Sequence, residues 1–271
     1  MNTIIFRGVR GSLARPSIDT LLYGGNTPCL EVRSGGELLI FDTGTGVFEL
    51  GKELAKKGKP VKASILYTHY HWDHILGLPF FSPIYDKRSS FTIYGRKGLK
   101  KALSNLLSTP NFPVKLGDLK ARVRFVEKKE GLFKIGKVNI VAFDVNHPNG
   151  AFGYRMEFPG GKNVVFISDN GPARDDSKLV DMAYGSDILI HDAQYLPKEF
   201  RDKRKFGHSP YNYALDIAFK ARVRTLILFH HDPGRDDRGI SRIENDAQQL
   251  AKKIGFRGAV FAAREGLELG C

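Results

Sequence analysis

Residues 68–74 read Thr68-His69-Tyr70-His71-Trp72-Asp73-His74, so three of the chain's eight histidines and a carboxylate fall within six positions. Alternate side chains of an extended segment project the same way, which lets His69 and His71 converge on one ion. A turn into a helix after His71 would redirect Asp73 and His74 toward a second ion nearby. Imidazole and carboxylate suit zinc, and also manganese or iron. The cluster directly follows the apolar run Ser64-Ile65-Leu66-Tyr67, and the end of a buried strand is where an α/β protein carries its site. Three further polar residues stand at the ends of later apolar runs: His147 after 139–146, Asp169 after 164–168, and His230 after 226–229. Any one of them alone is an ordinary turn residue. Three in succession behind the histidine cluster supply the further ligands a binuclear site requires.

Such residues need elements to position them. β-like runs occur at 3–6, 29–32 and 38–41, and the third leads into Asp42-Thr43-Gly44-Thr45-Gly46, whose glycines suit a tight turn before a helix over 47–57. A buried strand over 63–68 runs into the histidines, and Pro79 and Pro83 interrupt any helix begun near His74. Strand patterns follow at 91–94, 123–126, 138–145, 152–158, 163–168, 187–190, 225–229 and 259–262, and helical patterns at 97–107, 178–184 and 211–220. Ser241-Arg242-Ile243-Glu244 matches the capping-box pattern and predicts a helix from there to about 253. No repeat, low-complexity tract or Pro/Ser-rich linker divides residues 1–271, so one domain is the simpler reading. β-rich segments alternate with helices in both halves. Two packed sheets covered by helices, a four-layer α/β/β/α sandwich, would accommodate them, although periodicity supplies the elements and not that topology.

The order His-x-His-x-Asp-His, then His, then Asp, then His resembles the metallo-β-lactamase superfamily, over nearly the whole chain. The resemblance implies the αββα sandwich with two divalent metal ions, zinc before manganese or iron, in a cleft between its halves. Carried over by position, His69, His71 and His147 bind one ion, Asp73, His74 and His230 the other, and Asp169 bridges them. The family places its last ligand at the strand end, which selects His230 over His231; a register error of one would exchange them. True β-lactamases usually lack a second-metal histidine like His74, and the flavoprotein branch carries Glu at the position of His71. Glyoxalases usually have a Gly-His-Thr-like stretch where this chain has Asn146-His147-Pro148-Asn149. Phe152-Gly153-Tyr154-Arg155, His191-Asp192-Ala193-Gln194 and Gly207-His208-Ser209 are similar to the RNase Z-like phosphodiesterase branch. That likeness implies a metal-bridging hydroxide attacking phosphorus in line, with Asp73 orienting it as well as binding metal. It makes His208 a general acid or transition-state donor rather than a ligand. A helix-cap role before Pro210 is the competing expectation for His208, and His191 is read as a buried structural residue.

The tRNA-processing enzymes of the branch, in their longer-armed forms, insert a flexible arm between the third histidine ligand and the bridging aspartate. Here that interval is 169 − 147 = 22 residues, room for a hairpin. The expected substrate is therefore a small phosphodiester such as a cyclic nucleotide, as for arm-less relatives that include cyclic-nucleotide phosphodiesterases. An RNase Z-like endoribonuclease or other nuclease is the nearest alternative. A glyoxalase-type thioester or lactone hydrolase comes next, and a degenerate nucleotide-binding protein last, disfavoured by the intact ligand set. Members of the family often form homodimers, which makes a homodimer the candidate assembly.

Composition bounds these readings. The 271 residues are 42% hydrophobic and 26% charged, as in an ordinary globular protein, but 42 Lys and Arg against 29 Asp and Glu give a net charge of +13. Such a balance suggests an anionic partner. Between Arg96 and Lys137 twelve cations face Asp118, Glu127 and Glu130, a local +9 (12 − 3) on a segment that could border the cleft and contact RNA. Arg201, Lys203, Arg204 and Lys205 read as a solvated loop, with a phosphate-attracting rim as the other reading. No apolar run approaches the ~20 residues that span a bilayer, and the start has no signal-peptide layout. No membrane partner and a cytoplasmic setting are expected. Two cysteines, Cys29 and Cys271, supply no disulfide framework.

Overall fold

Short aliphatic and aromatic runs form fourteen strands among the described residues of the computed structural model, which are 2–110 and 112–271. One sheet holds β1 (Thr3–Gly8), β2 (Cys29–Ser34), β3 (Glu37–Phe41), β4 (Lys62–Leu66), β5 (Ser90–Gly95) and β6 (Arg122–Glu127). The other holds β7 (Gly131–Ile135), β8 (Val138–Val145), β9 (Ala151–Glu157), β10 (Asn163–Ile167), β11 (Ile188–Asp192), β12 (Thr225–Phe229) and β13 (Ala259–Ala262). The last strand, β14 (Glu268–Gly270), returns to the first sheet beside β1, giving the orders β14-β1-β2-β3-β4-β5-β6 and β13-β12-β11-β10-β9-β8-β7.

Each sheet is antiparallel on one side and parallel on the other. β3 to β6 run parallel, as do β10 to β13. Parallel neighbours need crossovers. These are α1 (Val47–Lys56), α2 (Trp72–Ile75) and α3 (Leu99–Leu106) on the first sheet, and α4 (Ser177–Ala183), α5 (Pro197–Lys203), α6 (Tyr211–Lys220) and α7 (Asp237–Ile254) on the second. Alternation along the strands sorts the side chains into three apolar layers. Phe6, Leu39, Phe41 and Leu66 meet Ile140, Tyr154, Phe166 and Phe229 between the sheets. There Phe41 packs edge-on against Tyr154 and Phe166, with ring centroids 5.3 and 5.8 Å apart. Ile40, Ile65 and Ile93 face Leu50 and Leu103 outside the first sheet. Leu189 and Leu228 face Ala214, Ala218 and Ala247 outside the second. The architecture is the expected αββα sandwich. In both sheets the parallel strands deliver their carboxyl ends to one rim.

The interval between His147 and Asp169 contains β9, β10 and the tight turn between them. Other elements depart from the sequence reading. The long helix α7 begins at Asp237, capped by Asp236, whose side chain accepts from the Gly239 N–H at 2.7 Å. Ser241 and Glu244 lie inside it and instead meet the Tyr23 hydroxyl. Arg201 and Lys203 belong to α5, with Pro197 in its first turn, rather than to a loop. β7 and β14 are edge strands, largely exposed, that lack a clean apolar alternation. No helix among the described residues is long and apolar enough to cross a membrane.

Candidate metal centre and active site

The chain leaves β4 extended, with His71 at φ −65°, ψ 153°, and then enters the single turn of α2. That switch is what brings the four cluster residues together. The His69 ring centroid lies 4.4 Å from that of His71 and 4.2 Å from that of His74. His147, Asp169 and His230 arrive just beyond β8, β10 and β12 from the facing sheet.

Asp169 sits between two groups of imidazoles. Its Oδ2 is 3.7 Å from His69 Nε2 and 3.9 Å from His147 Nε2, while its Oδ1 is 3.1 Å from His74 Nε2 and 3.3 Å from His230 Nε2. Asp73 Oδ2 lies 3.3 Å from both His74 Nε2 and His230 Nε2, and His71 Nδ1 lies 3.2 Å from His147 Nε2. Two ligands bound tetrahedrally to one zinc at 2.0–2.1 Å stand about 3.3 Å apart. His69 Nε2, His74 Nε2 and Asp169 Oδ1 are buried without a hydrogen-bond partner among the described residues. Buried polar atoms in that state are costly and call for an occupant. His69, His71, His147 and Asp169 form one donor set and Asp73, His74 and His230 a second, while Asp169, His208 and His230 form a third group that overlaps both. Imidazole and carboxylate donors at these spacings fit divalent metal ions.

Four of the five rings are held by their other nitrogen, which fixes the tautomer that faces inward. His74 Nδ1–H donates to Asp42 Oδ2 at 2.9 Å. The Thr68 hydroxyl donates to the same oxygen and accepts from His69 Nδ1–H at 3.1 Å. His147 Nδ1–H donates to the Gly207 carbonyl at 2.9 Å, and His230 Nδ1–H to Gln194 Oε1 at 3.0 Å. Asp73 Oδ2 accepts from the Ser12 N–H at 2.7 Å. The loop bearing Ser12 comes so close that a Cβ on Gly11 would lie 2.3 Å from the His230 ring. Burial, reinforced by His74, holds His69 well below its ordinary pKa, in the neutral form that binds metals. Burial also lowers His74, but Asp73, Asp169 and Asp42 reverse this and raise it well above the ordinary value. Burial would raise Asp169, yet His230, His74 and His69 hold it well below the carboxylate range.

His208 stands at the same cluster with a carboxylate of its own. Its Nδ1–H donates to Asp192 Oδ2 at 2.8 Å, and its ring stacks on His230 with centroids 4.8 Å apart. It lies 3.7 Å from Asp169 Oδ2. Burial depresses its pKa, but Asp192 and then Asp169 lift it to about 9. The alternative expectation, a helix-cap role, is not realised: α6 starts at Tyr211 with Pro210 before it and no side-chain cap. His231 points away from the cluster, with Nε2–H toward the Ala263 carbonyl at 2.8 Å. His191 is buried, with Nδ1–H on the Asp192 carbonyl. Lys203 lies over the Tyr195 ring and 3.5 Å from Asp232.

Sequence reasoning gave no role to Asp42 or Ser12, and quoted Asp192 and Gln194 only as part of a branch-like motif. Asp42 and Asp192 carried a readable signal. Leu38-Leu39-Ile40-Phe41 ends in Asp42 and Ile188-Leu189-Ile190-His191 ends in Asp192, the same arrangement that flags Asp169.

A family model described as the beta-lactamase superfamily domain matches residues 38–231. The chain belongs to the metallo-β-lactamase superfamily. Its likeness lies toward the RNase Z-like branch: ribonuclease Z of Pyrococcus horikoshii is 25% identical over 280 residues, covering 86% of this chain and 87% of its own. Two solved structures share the fold. The metallo-β-lactamase fold protein YhfI from Bacillus subtilis has a TM-score of 0.75 at 18% identity, covering 99% and 98% of the two chains. A diphosphatase from the PhnP family has a TM-score of 0.74 at 19% identity, covering 100% and 98%. In this metallo-β-lactamase sandwich the His/Asp cluster occupies the rim where strands from both sheets end.

Proposed function

We propose that this chain is a binuclear metal-dependent hydrolase that cleaves a small phosphodiester, such as a cyclic nucleotide. The observation that carries the reading is the His208–Asp192 pair beside Asp169: a cluster built for two cations with a proton donor at its edge. The names of relatives, a ribonuclease and a diphosphatase, support phosphoryl chemistry over the glyoxalase-type alternative. The β9–β10 hairpin in place of an arm supports a small substrate.

His69, His71, His147 and Asp169 would hold one ion, and Asp73, His74, His230 and Asp169 the other. When bound, such ions supply Lewis-acid charge and an ionised water at neutral pH. The rest belongs to the chain. As the water oxygen bonds to phosphorus and the bond to the leaving oxygen breaks, His208 gives that oxygen a proton from Nε2, its Nδ1–H being held by Asp192. The imidazole regains its proton from solvent. Asp73, anchored by the Ser12 N–H and 3.3 Å from both His74 Nε2 and His230 Nε2, would complete the second donor set and orient the nucleophile.

An RNA substrate is the second reading, favoured by the likeness to ribonuclease Z. Zinc- or manganese-loaded protein assayed on bis(p-nitrophenyl) phosphate, cyclic nucleotides, a tRNA precursor and a thioester separates the cases. Turnover of the first two with slow or no tRNA processing is expected. Thioester cleavage with every phosphodiester untouched would overturn the proposal.

A further inference from the structure

The inner face of a β-sandwich is where apolar side chains belong, and upper positions of β4 and β5 conform, with Leu66 and Tyr94 in the inter-sheet core. At the opposite ends of the same strands the pattern fails. Lys62, Ser90 and Arg122 pair across β4, β5 and β6, and so do Ser64, Thr92 and Arg124 one step further along the same face. Leu39, an inter-sheet core residue, is in register with Ser64, which fixes the face on which both rows stand. The two rows wall a groove of about 500 Å³. Glu37 is the single carboxylate lining it, so the groove carries three cations against one anion. No ion pair or side-chain hydrogen bond among the described residues engages Lys62, Arg122 or Arg124. Ser64 is 8% exposed, and its hydroxyl likewise has no partner.

We propose that this groove binds a phosphate group. Arginine and lysine supply charge-assisted donors that match phosphate oxygens, and the Ser and Thr hydroxyls between them add short neutral donors. Ser64 stands five residues before His69, about 17 Å along an extended chain. A cyclic nucleotide at the histidine cluster does not reach the groove, so this is a separate site, whatever reaction the cluster performs. A phosphodiester of an RNA strand and a free phosphomonoester share the required chemistry.

The test is equilibrium binding to the metal-loaded full chain. The probes are a fluorescein-labelled 2′-O-methyl RNA dodecamer, followed by anisotropy, and AMP, followed by calorimetry. The paired substitution Arg122→Ala/Arg124→Ala should weaken binding of one probe at least tenfold at low salt. For the dodecamer it should also reduce the salt slope by about 1.4, the loss of two phosphate contacts on a single strand. Lys252→Ala/Lys253→Ala removes the same charge from the far end of α7 and should change either affinity by less than about twofold. Arg122→Gln/Arg124→Gln, which keeps the alkyl stem and a polar end but removes the charge, should behave like the alanine pair, with a thermal midpoint matching the parent. Loss confined to the dodecamer assigns the groove to an RNA strand, and loss confined to AMP assigns it to a phosphomonoester. Equal effects of the Arg pair and the Lys pair on both probes would overturn the proposal.

Discussion

Replacing His208 by alanine tests the proton-donor assignment most sharply, because the structure makes its cost depend on the leaving group. The imidazole is fixed by a 2.8 Å bond to Asp192 and by stacking on His230, so its removal deletes a positioned donor; because it also groups with Asp169 and His230, metal content is read alongside turnover. General-acid catalysis contributes about 10²–10⁴ in rate, or roughly 2.7–5.4 kcal/mol at 1.36 kcal/mol per decade. A 3′,5′-cyclic nucleotide expels a sugar alkoxide and should lose that full amount in kcat. Bis(p-nitrophenyl) phosphate expels a far less basic phenolate and should lose less than about tenfold. Asp192→Asn keeps the imidazole but weakens its hydrogen bond by about 1.5–3 kcal/mol and turns an amide NH2 toward backbone N–H groups, because Oδ2 also accepts from Asn170 and Oδ1 from Gln194 and Ser209, so the cyclic nucleotide should slow by at least about 10-fold. The assay is steady-state turnover of both substrates with metal content measured on the same samples. An equal fall on the two substrates would refute proton donation, and loss of metal would show that His208 is a ligand.

Asp42→Asn should weaken metal binding by about 10–100-fold in a chelator competition, because one face of the amide must present N–H to the Thr68 N–H or to His74 Nδ1–H. Chelation of metal-loaded protein should lower the thermal midpoint by several degrees and abolish turnover, with both restored by zinc; an unchanged midpoint would argue against a cation pair at Asp169. Burial raises the Cys271 thiol to about 11 and places Cys29 well above its ordinary range. At pH 8 on the order of a thousandth of Cys271 is thiolate, so iodoacetamide should label native protein slowly, faster as pH rises toward 11, and Cys29 only after unfolding. Rapid labelling of Cys29 in native protein would contradict its burial.

What the sequence disclosed depended on whether a signal was local. The His69–His74 spacing was legible because a strand-to-helix switch over six residues determines which way those side chains turn. His147, Asp169 and His230 were legible because each ends an apolar run. Asp42 ends one as well, but the neighbouring glycines of Asp42-Thr43-Gly44 suggested only a turn, and nothing local indicates that Thr68 and His74 will pack on its carboxylate. Ser12 could not be found at all: its contact with Asp73 is through backbone N–H, to which side-chain identity is indifferent. The basic stretch from Arg96 to Lys137 misled for a topological reason. β5 and β6 are parallel, so Arg96, just past the end of β5, lies at the cluster rim, packed 4.5 Å over the Phe152 ring. Arg122, at the start of β6, lies at the other end of the sheet. A charge run contiguous in sequence is thereby divided between two ends of the molecule.

The backbone itself marks the same place. Among the described residues five non-glycine positions adopt positive φ: Ser12 at 63°, Asp42 at 57°, Asn149 at 64°, Arg222 at 53° and His230 at 61°. Three of the five belong to the cluster or its support, and a fourth lies beside it in sequence. Asp42 and His230 sit immediately past β3 and β12, Asn149 two residues beyond His147, and Ser12 donates to Asp73. Left-handed backbone at such residues costs on the order of 1–3 kcal/mol and persists only where the surroundings over-determine it. At Asp42 the surroundings are three hydrogen bonds to one carboxylate, and at His230 the Gln194 amide together with the close approach of Gly11. A regular strand ending would carry each side chain on in the alternation of its strand. The left-handed residue breaks that alternation and turns the side chain into the space where the sheets' strands end. The strain and the unpaired ring nitrogens are thus two aspects of one arrangement. The fold holds both in readiness, and cations bound at Asp169 would offset them together.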